Sequence, residues 1–206
     1  MTVLKDLLLL VADADIEQTM RGLLANPSRL GIRSIDWDIR RHPERDPGCA
    51  RHSAAFLRLF CKQYRHALVV FDHEGSGRES EGREQLEGSL EEELVHNGWR
   101  PGSVRAIVLE PEIEAWVWSP SVHVANVLGW TDWEGLERWL LSRGLLTDTQ
   151  SKPPRPKETM HAVLRDRRRP FSASSFRRLA ERVSHRHCSD PSFSKLRSSL
   201  QEWFRP

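Results

Sequence analysis

Three short, almost unbroken apolar runs limit what this chain can fold into: residues 5–12 (KDLLLLVA), 66–71 (HALVVF) and 104–109 (VRAIVL). Each is too short for a core helix and reads as a strand buried on both faces, as in a parallel sheet covered by helices. Residues 31–39, with Ile32, Ile35, Trp37 and Ile39 in imperfect alternation, predict one more strand. Helical spacing separates these runs. Ile16, Met20, Leu23 and Leu24 fall at i, i+4, i+7 and i+8, and Asn26-Pro27 ends that helix. Residues 40–51 read as a charged loop, and 54–64 as a helix with Phe56, Leu57 and Phe60 on one face. A polar helix with Leu86, Leu90, Leu94 and Val95 as its stripe stops near Asn97-Gly98, and Pro111 opens the next. Strand and helix in alternation predict an α/β fold, a parallel sheet flanked by helices.

Beyond residue 119 the pattern becomes helical, over 133–141, 158–167, 174–183 and 193–204, with Asp190-Pro191-Ser192 capping the last. Residues 147–157 (TDTQSKPPRPK) carry three prolines and no apolar side chain apart from them, so they read as a linker or exposed loop. The expected organisation is an α/β domain over 1–146 and a basic, mainly helical C-terminal extension over 147–206 packed on it. Charge follows this division. Residues 152–206 hold 14 basic and 5 acidic residues, a formal +9, against −7 for the rest. A basic face of that density attracts polyanions such as nucleic acid, or packs against the acidic body. With 38% hydrophobic residues the chain is too apolar for wholesale disorder. No run approaches a membrane span, residues 7–11 do not resemble a signal peptide, and the three cysteines form no CxxC pair. A cytoplasmic protein with no membrane partner is therefore expected.

Ligands of open α/β sheets bind at the carboxyl ends of the strands. There this sequence places Asp13, Asp15 and Glu17 after the first run, Asp72 and Glu74 after the third strand, and Glu110, Glu112 and Glu114 after the fourth. Carboxylates gathered at one edge repel one another, and a hard divalent cation with oxygen ligands, Mg²⁺ or Mn²⁺, reconciles them. Each cluster also lies at a helix start, where acidic residues complement the helix dipole. Singly, each reads as a cap. Their coincidence, with two glycines beside Asp72 and Glu74, points to a metal site.

An acidic residue after the first strand, followed by an Asp-x-Asp-like pair after a later strand, resembles the TOPRIM domain of topoisomerases, primases and OLD-type nucleases. Residues 11–17 (VADADIE) look like a departed form of the OLD-type Val-Glu-Gly-x-(Ser/Thr)-Glu pattern, with Asp13 near its first glutamate and Glu17 near its second. Asp72-His73-Glu74 looks like Asp-x-Asp with the second aspartate lengthened. Together with Asn97-Gly98-Trp99, residues 110–116 (EPEIEAW), Leu128-Gly129-Trp130, 152–158 (KPPRPKE) and 188–193 (CSDPSF), the chain resembles small TOPRIM-like proteins of bacterial anti-phage islands, including the methylation-associated defence system.

The resemblance implies a defence role, with nucleic acid and other defence-system proteins as partners. If the acidic site is catalytic, its chemistry would be phosphodiester hydrolysis. Asp72 and Glu74 would hold the metal, Asp13 would be a further ligand or the base, and Glu112 would complete the site. Lys152, Arg155 and Lys157 would contact phosphate, and Lys157 would offset developing charge. The short Asp13 and long Glu74 bear on catalysis more than on metal binding. They favour the alternative, a non-catalytic TOPRIM-like subunit that binds nucleic acid or a partner protein. A third reading is a toxin-like RNase whose basic helices bind structured RNA.

Other residues carry less. His185-x-His187-Cys188 lacks helical i, i+4 ligand spacing and reads as a surface cluster. Cys49 has Arg45 and Arg51 nearby, which would lower a thiol pKa, yet reads as a bystander. Five tryptophans, Trp116, Trp118, Trp130, Trp133 and Trp139, crowd one region and are expected to pack the α/β part against the helical end.

Overall fold

The computed structural model describes residues 3–147, 149–150, 152–183, 188 and 190–206. The chain runs through β1 (Lys5–Val11), α1 (Ala14–Leu24), α2 (Pro27–Leu30), β2 (Trp37–Arg41), α3 (Arg45–Arg58), β3 (Tyr64–Asp72), α4 (Arg83–His96) and β4 (Val104–Leu109). Six helices follow: α5 (Glu114–Val117), α6 (Val122–Val127), α7 (Trp133–Ser142), α8 (Pro156–Asp166), α9 (Ala173–Arg182) and α10 (Pro191–Trp203).

The sheet is parallel throughout, in the order β2-β1-β3-β4. Its two central strands are the two longest apolar runs, and Leu7 to Val11 and Ala67 to Phe71 have no solvent exposure at all. The strand order reverses between β1 and β3, so the crevice at their carboxyl ends is the switch point where such sheets bind ligands. Register matters there. Val11 pairs with Val70, and the Ala12 amide still donates to the Val70 carbonyl at 3.2 Å, which carries Asp13 level with Asp72.

The edge strand β4 is closed by side chains. Glu91 accepts from the Ala106 amide and Glu87 from the Val108 amide, both at 3.0 Å. Ala106 and Val108 are two apart, so their N–H groups face one side, and Glu87 and Glu91 are one helical turn apart on α4. Lys195 of α10 bridges the two carboxylates at 3.1 and 2.7 Å. This accounts for the acidic character of α4 on a face that is not solvent.

Several boundaries differ from expectation. The predicted loop at 40–51 is largely helix, because α3 begins at Arg45 and ends at Arg58, while Tyr64 opens β3. Pro47 stands in the first turn of α3, where a missing amide breaks no helical bond. The strand predicted at 31–39 is displaced to Trp37–Arg41. The helix predicted to open at Pro111 starts at Glu114, since residues 110–113 are bonded to the end of β3: Ile113 donates to Asp72 Oδ1 and Glu74 donates to the Pro111 carbonyl. Residues 156–157, predicted as linker, form the first turn of α8. Elsewhere expectation and structure agree closely, including Asp190, whose Oδ1 caps α10 at Ser192 N and Phe193 N.

The C-terminal helices share the core of the sheet. One buried cluster extends from Leu7 through Met160, Val163, Phe176 and Leu196 to Phe204. Helix α9 lies along α1 so closely that a Cβ built on Gly22 would stand 2.7 Å from Ala180 Cβ. Trp118 is fully buried, and Trp116, Trp130, Trp133 and Trp139 pack partly buried against the same core, as expected for packing residues. Among the described residues no helix is long and apolar enough to cross a membrane.

Candidate metal centre

Three carboxylates meet at the carboxyl ends of β3 and β4. Asp72, Glu112 and Glu114 each offer an oxygen within 4.8 Å of the others, and they are only 5%, 5% and 1% exposed. Asp72 is the last residue of β3, Glu112 lies in the loop after β4, and Glu114 is the first residue of α5. Ile113 between the glutamates donates its amide to Asp72 Oδ1 at 2.9 Å, and this bond pulls the loop across the strand end.

The group is incompletely satisfied. Glu112 has partners for both oxygens: the Lys157 amide at 3.1 Å and the Lys157 ammonium at 3.2 Å. Asp72 has the Ile113 amide. Glu114 Oε2 is buried with no hydrogen-bond partner. An orphaned buried carboxylate oxygen is costly, and a bound cation is one of the few things that satisfies it. Three oxygens on one octahedral Mg²⁺, at about 2.1 Å from the ion, lie about 3.0 to 4.2 Å apart, so the group would draw together around a bound ion. The donor set, three carboxylates and no nitrogen or sulfur, suits a hard divalent cation. This buried group can hold one.

Electrostatics agree with crowding. Burial, then the charges of Asp46, Glu114 and Asp13, push the Asp72 carboxyl well above the ordinary range, with Lys157 opposing. Burial raises Glu114 to about 7; Lys157 opposes this, and Glu112 and Asp15 add to it. Asp15 is raised to about 6 by burial and then by Asp13. Burial works against the Lys157 charge, but Glu114 and Glu112 outweigh it and hold the ammonium pKa above the ordinary lysine value.

The residues singled out from sequence separate into those brought together and those not. Asp72 and Glu112 stand in the group, with Lys157 bonded to it. Asp13 is the N-cap of α1, its Oδ1 accepting from Asp15 and Ile16 amides, and its charge reaches Asp72 and Asp46. Glu74 is exposed in the turn after β3 and lies outside the group. Lys152 donates to the Ala115 carbonyl at 2.7 Å, and Arg155 is exposed. Glu17 pairs with Arg21 and Arg41.

Two acidic residues were not assigned from sequence. Glu114 belonged to the recognised acidic run, but nothing in the run distinguishes it from Glu110, which is exposed. Asp46 sits in the first turn of α3, where its Oδ1 accepts from the Asp72 amide at 2.8 Å. Its signal, an acidic residue beside proline at a helix start, was hidden by reading 40–51 as loop. Cys49 is the bystander thiol expected. It is buried, and its thiol pKa is raised by that burial and by Asp46 and Asp13, so Arg45 and Arg51 do not activate it. His185 and His187 lie outside the described residues.

No family model, no curated protein and no solved structure matches this chain. Fold and site therefore define it as a parallel α/β protein with a buried acidic group at its strand ends.

Proposed function

We propose that this chain is a TOPRIM-like, Mg²⁺- or Mn²⁺-dependent phosphodiesterase acting on nucleic acid in anti-phage defence. The observation that carries the reading is the meeting of Asp72, Glu112 and Glu114 with one glutamate oxygen left unpartnered. The defence role and the family rest on the sequence resemblance. In this reading Asp72, Glu112 and Glu114 would hold the cation, which when bound would supply Lewis-acid stabilisation of charge on the phosphate. Asp13, level with Asp72 on the neighbouring strand, receives the proton of a water through Oδ2, the oxygen not engaged in capping. The water oxygen bonds to phosphorus, the ester P–O bond breaks, and the leaving oxygen keeps that electron pair and departs as an alcohol after taking a proton from solvent. Lys157 fixes Glu112 and offsets negative charge building on the phosphate.

A second reading, a non-catalytic subunit that binds nucleic acid or a defence partner, is favoured by the capping role of Asp13 and the burial of the carboxylates. Titration calorimetry of Mg²⁺ and Mn²⁺ into the wild type and an Asp72→Ala/Glu114→Ala variant separates them, followed by cleavage assays on labelled DNA and RNA. Binding lost in the variant, with cleavage lost in Asp13→Asn while binding persists, supports the enzyme. Binding without cleavage supports the second reading. No binding at millimolar metal overturns both the metal site and the enzyme.

A further inference from the structure

The basic residues nominated from sequence are largely engaged, Lys152 with a carbonyl and Lys157 with Glu112. A run of unengaged positive charge lies at the other end of α8. Arg165, Arg167, Arg168 and Arg169 form the last turn of that helix and the turn beyond it. Arg167 pairs with Asp166 at 3.5 Å. Arg165, Arg168 and Arg169 are exposed and meet no carboxylate among the described residues.

Helix physics accounts for only part of this. The carboxyl end of a helix carries about half a negative charge, which favours a cation or two there. With Asp166 included, four guanidinium groups still leave an excess of about 2.5 positive charges on one turn.

The turn is also held in place. The Arg167 guanidinium stacks over the Trp130 ring at 3.5 Å from its centroid, and Trp130 in turn contacts Trp139, whose ring faces Arg143. Gly129, at φ +90°, lets the turn approach its backbone: a Cβ there would stand 2.8 Å from Arg169 Nε and 3.1 Å from Arg167 Cβ. The Arg167, Arg168 and Arg169 amides are bonded back to Val163, Arg165 and Leu164 carbonyls. Arginine charge on an ordered backbone, with the Arg165, Arg168 and Arg169 forks not paired to a carboxylate among the described residues, is suited to phosphate oxygens.

We infer that the Arg165–Arg169 turn is a phosphate-backbone anchor for nucleic acid. The kind of polyanion rests on the phosphodiesterase reading above. Helix α8 links the two places: its first turn is bonded to Glu112 through the Lys157 amide, and its last turn carries the arginines. Eleven residues at 1.5 Å each put the anchor about 16 Å from the carboxylates, close to five nucleotides along one strand of a duplex.

The test is fluorescence anisotropy of labelled single- and double-stranded DNA and RNA, in EDTA, from about 50 to 200 mM salt. The wild type is compared with Arg165→Gln/Arg168→Gln/Arg169→Gln and with a charge-matched control, Arg58→Gln/Lys62→Gln/Arg100→Gln, in the segments that lead into the amino ends of β3 and β4. The anchor variant is expected to bind about tenfold or more weaker and to lose about two to three from the slope of log K against log salt. The control is expected to keep most of the affinity. Equal loss in both variants, no wild-type binding, or equal competition by polyglutamate would overturn the inference. Since the arginines are exposed, circular dichroism melts confirm that each variant folds. An Asp72→Ala variant that still binds in EDTA separates the anchor from the metal site, so either can fail alone.

Discussion

Glu114 shows what burial does to a single carboxyl group. It keeps its proton up to about pH 7, against an ordinary value of 4.5, because burial and Glu112 outweigh Lys157. Between those values the folded chain holds a proton that the unfolded chain has released, so stability falls as pH rises through the window. A shift of this size amounts to about 3 kcal/mol. In EDTA, the urea midpoint of the wild type is expected to drop from pH 5 to pH 8, and Glu114→Gln to remove much of that drop. An unchanged pH slope in the variant would contradict the assignment. Lys157 provides the opposite case. Lys157→Met strips buried Glu112 of its ammonium partner and is expected to lower stability by about 1.5–3 kcal/mol. If the group takes a cation, millimolar Mg²⁺ should restore more stability to this variant than it adds to the wild type, measured by the same denaturation with and without metal.

At the level of elements, the covering of β4 by α4 is the clearest dependence. Glu87 is 2% exposed and serves the Val108 amide, Arg83 and Lys195 together. Glu87→Ala leaves a strand amide and two cations without their partner, and a loss of about 2–4 kcal/mol is expected in chemical denaturation. Glu91→Ala should cost less, because Glu91 is more exposed and serves fewer partners. Equal small effects from both would mean that water, not the carboxylate, satisfies the edge. The helix stripe of α4 was legible from its leucines. The function of its acidic face was not, because a glutamate that accepts from a strand edge has the same spacing as one that faces solvent.

The whole molecule behaves as one packed unit along its core, and the α1–α9 approach at Gly22 tests that. Gly22→Val forces α9 off α1 and is expected to cost about 1–3 kcal/mol through overpacking. Because the buried cluster is continuous from Leu7 to Phe204, the loss should appear as a shift of one transition. Far-ultraviolet dichroism and tryptophan fluorescence should therefore melt together. Separate melts would show the 147–206 region unfolding on its own. What the sequence determined alone is local: three apolar runs too short for helices, helical stripes between them, and caps such as Asp13 and Asp190, all set by residue periodicity and backbone hydrogen bonding within a few positions. Whether an acidic residue at a strand end turns inward is a long-range matter. Asp72, Glu112 and Glu114 meet, and Glu74 does not, because the Ile113 amide ties the loop after β4 to the end of β3. Asp46 and Lys157 reach that place only because α3 and α8 start beside it. Those partners lie 26 to 45 residues from the groups they contact, and no periodicity of the chain encodes such pairings; the packing of helices on the sheet decides them.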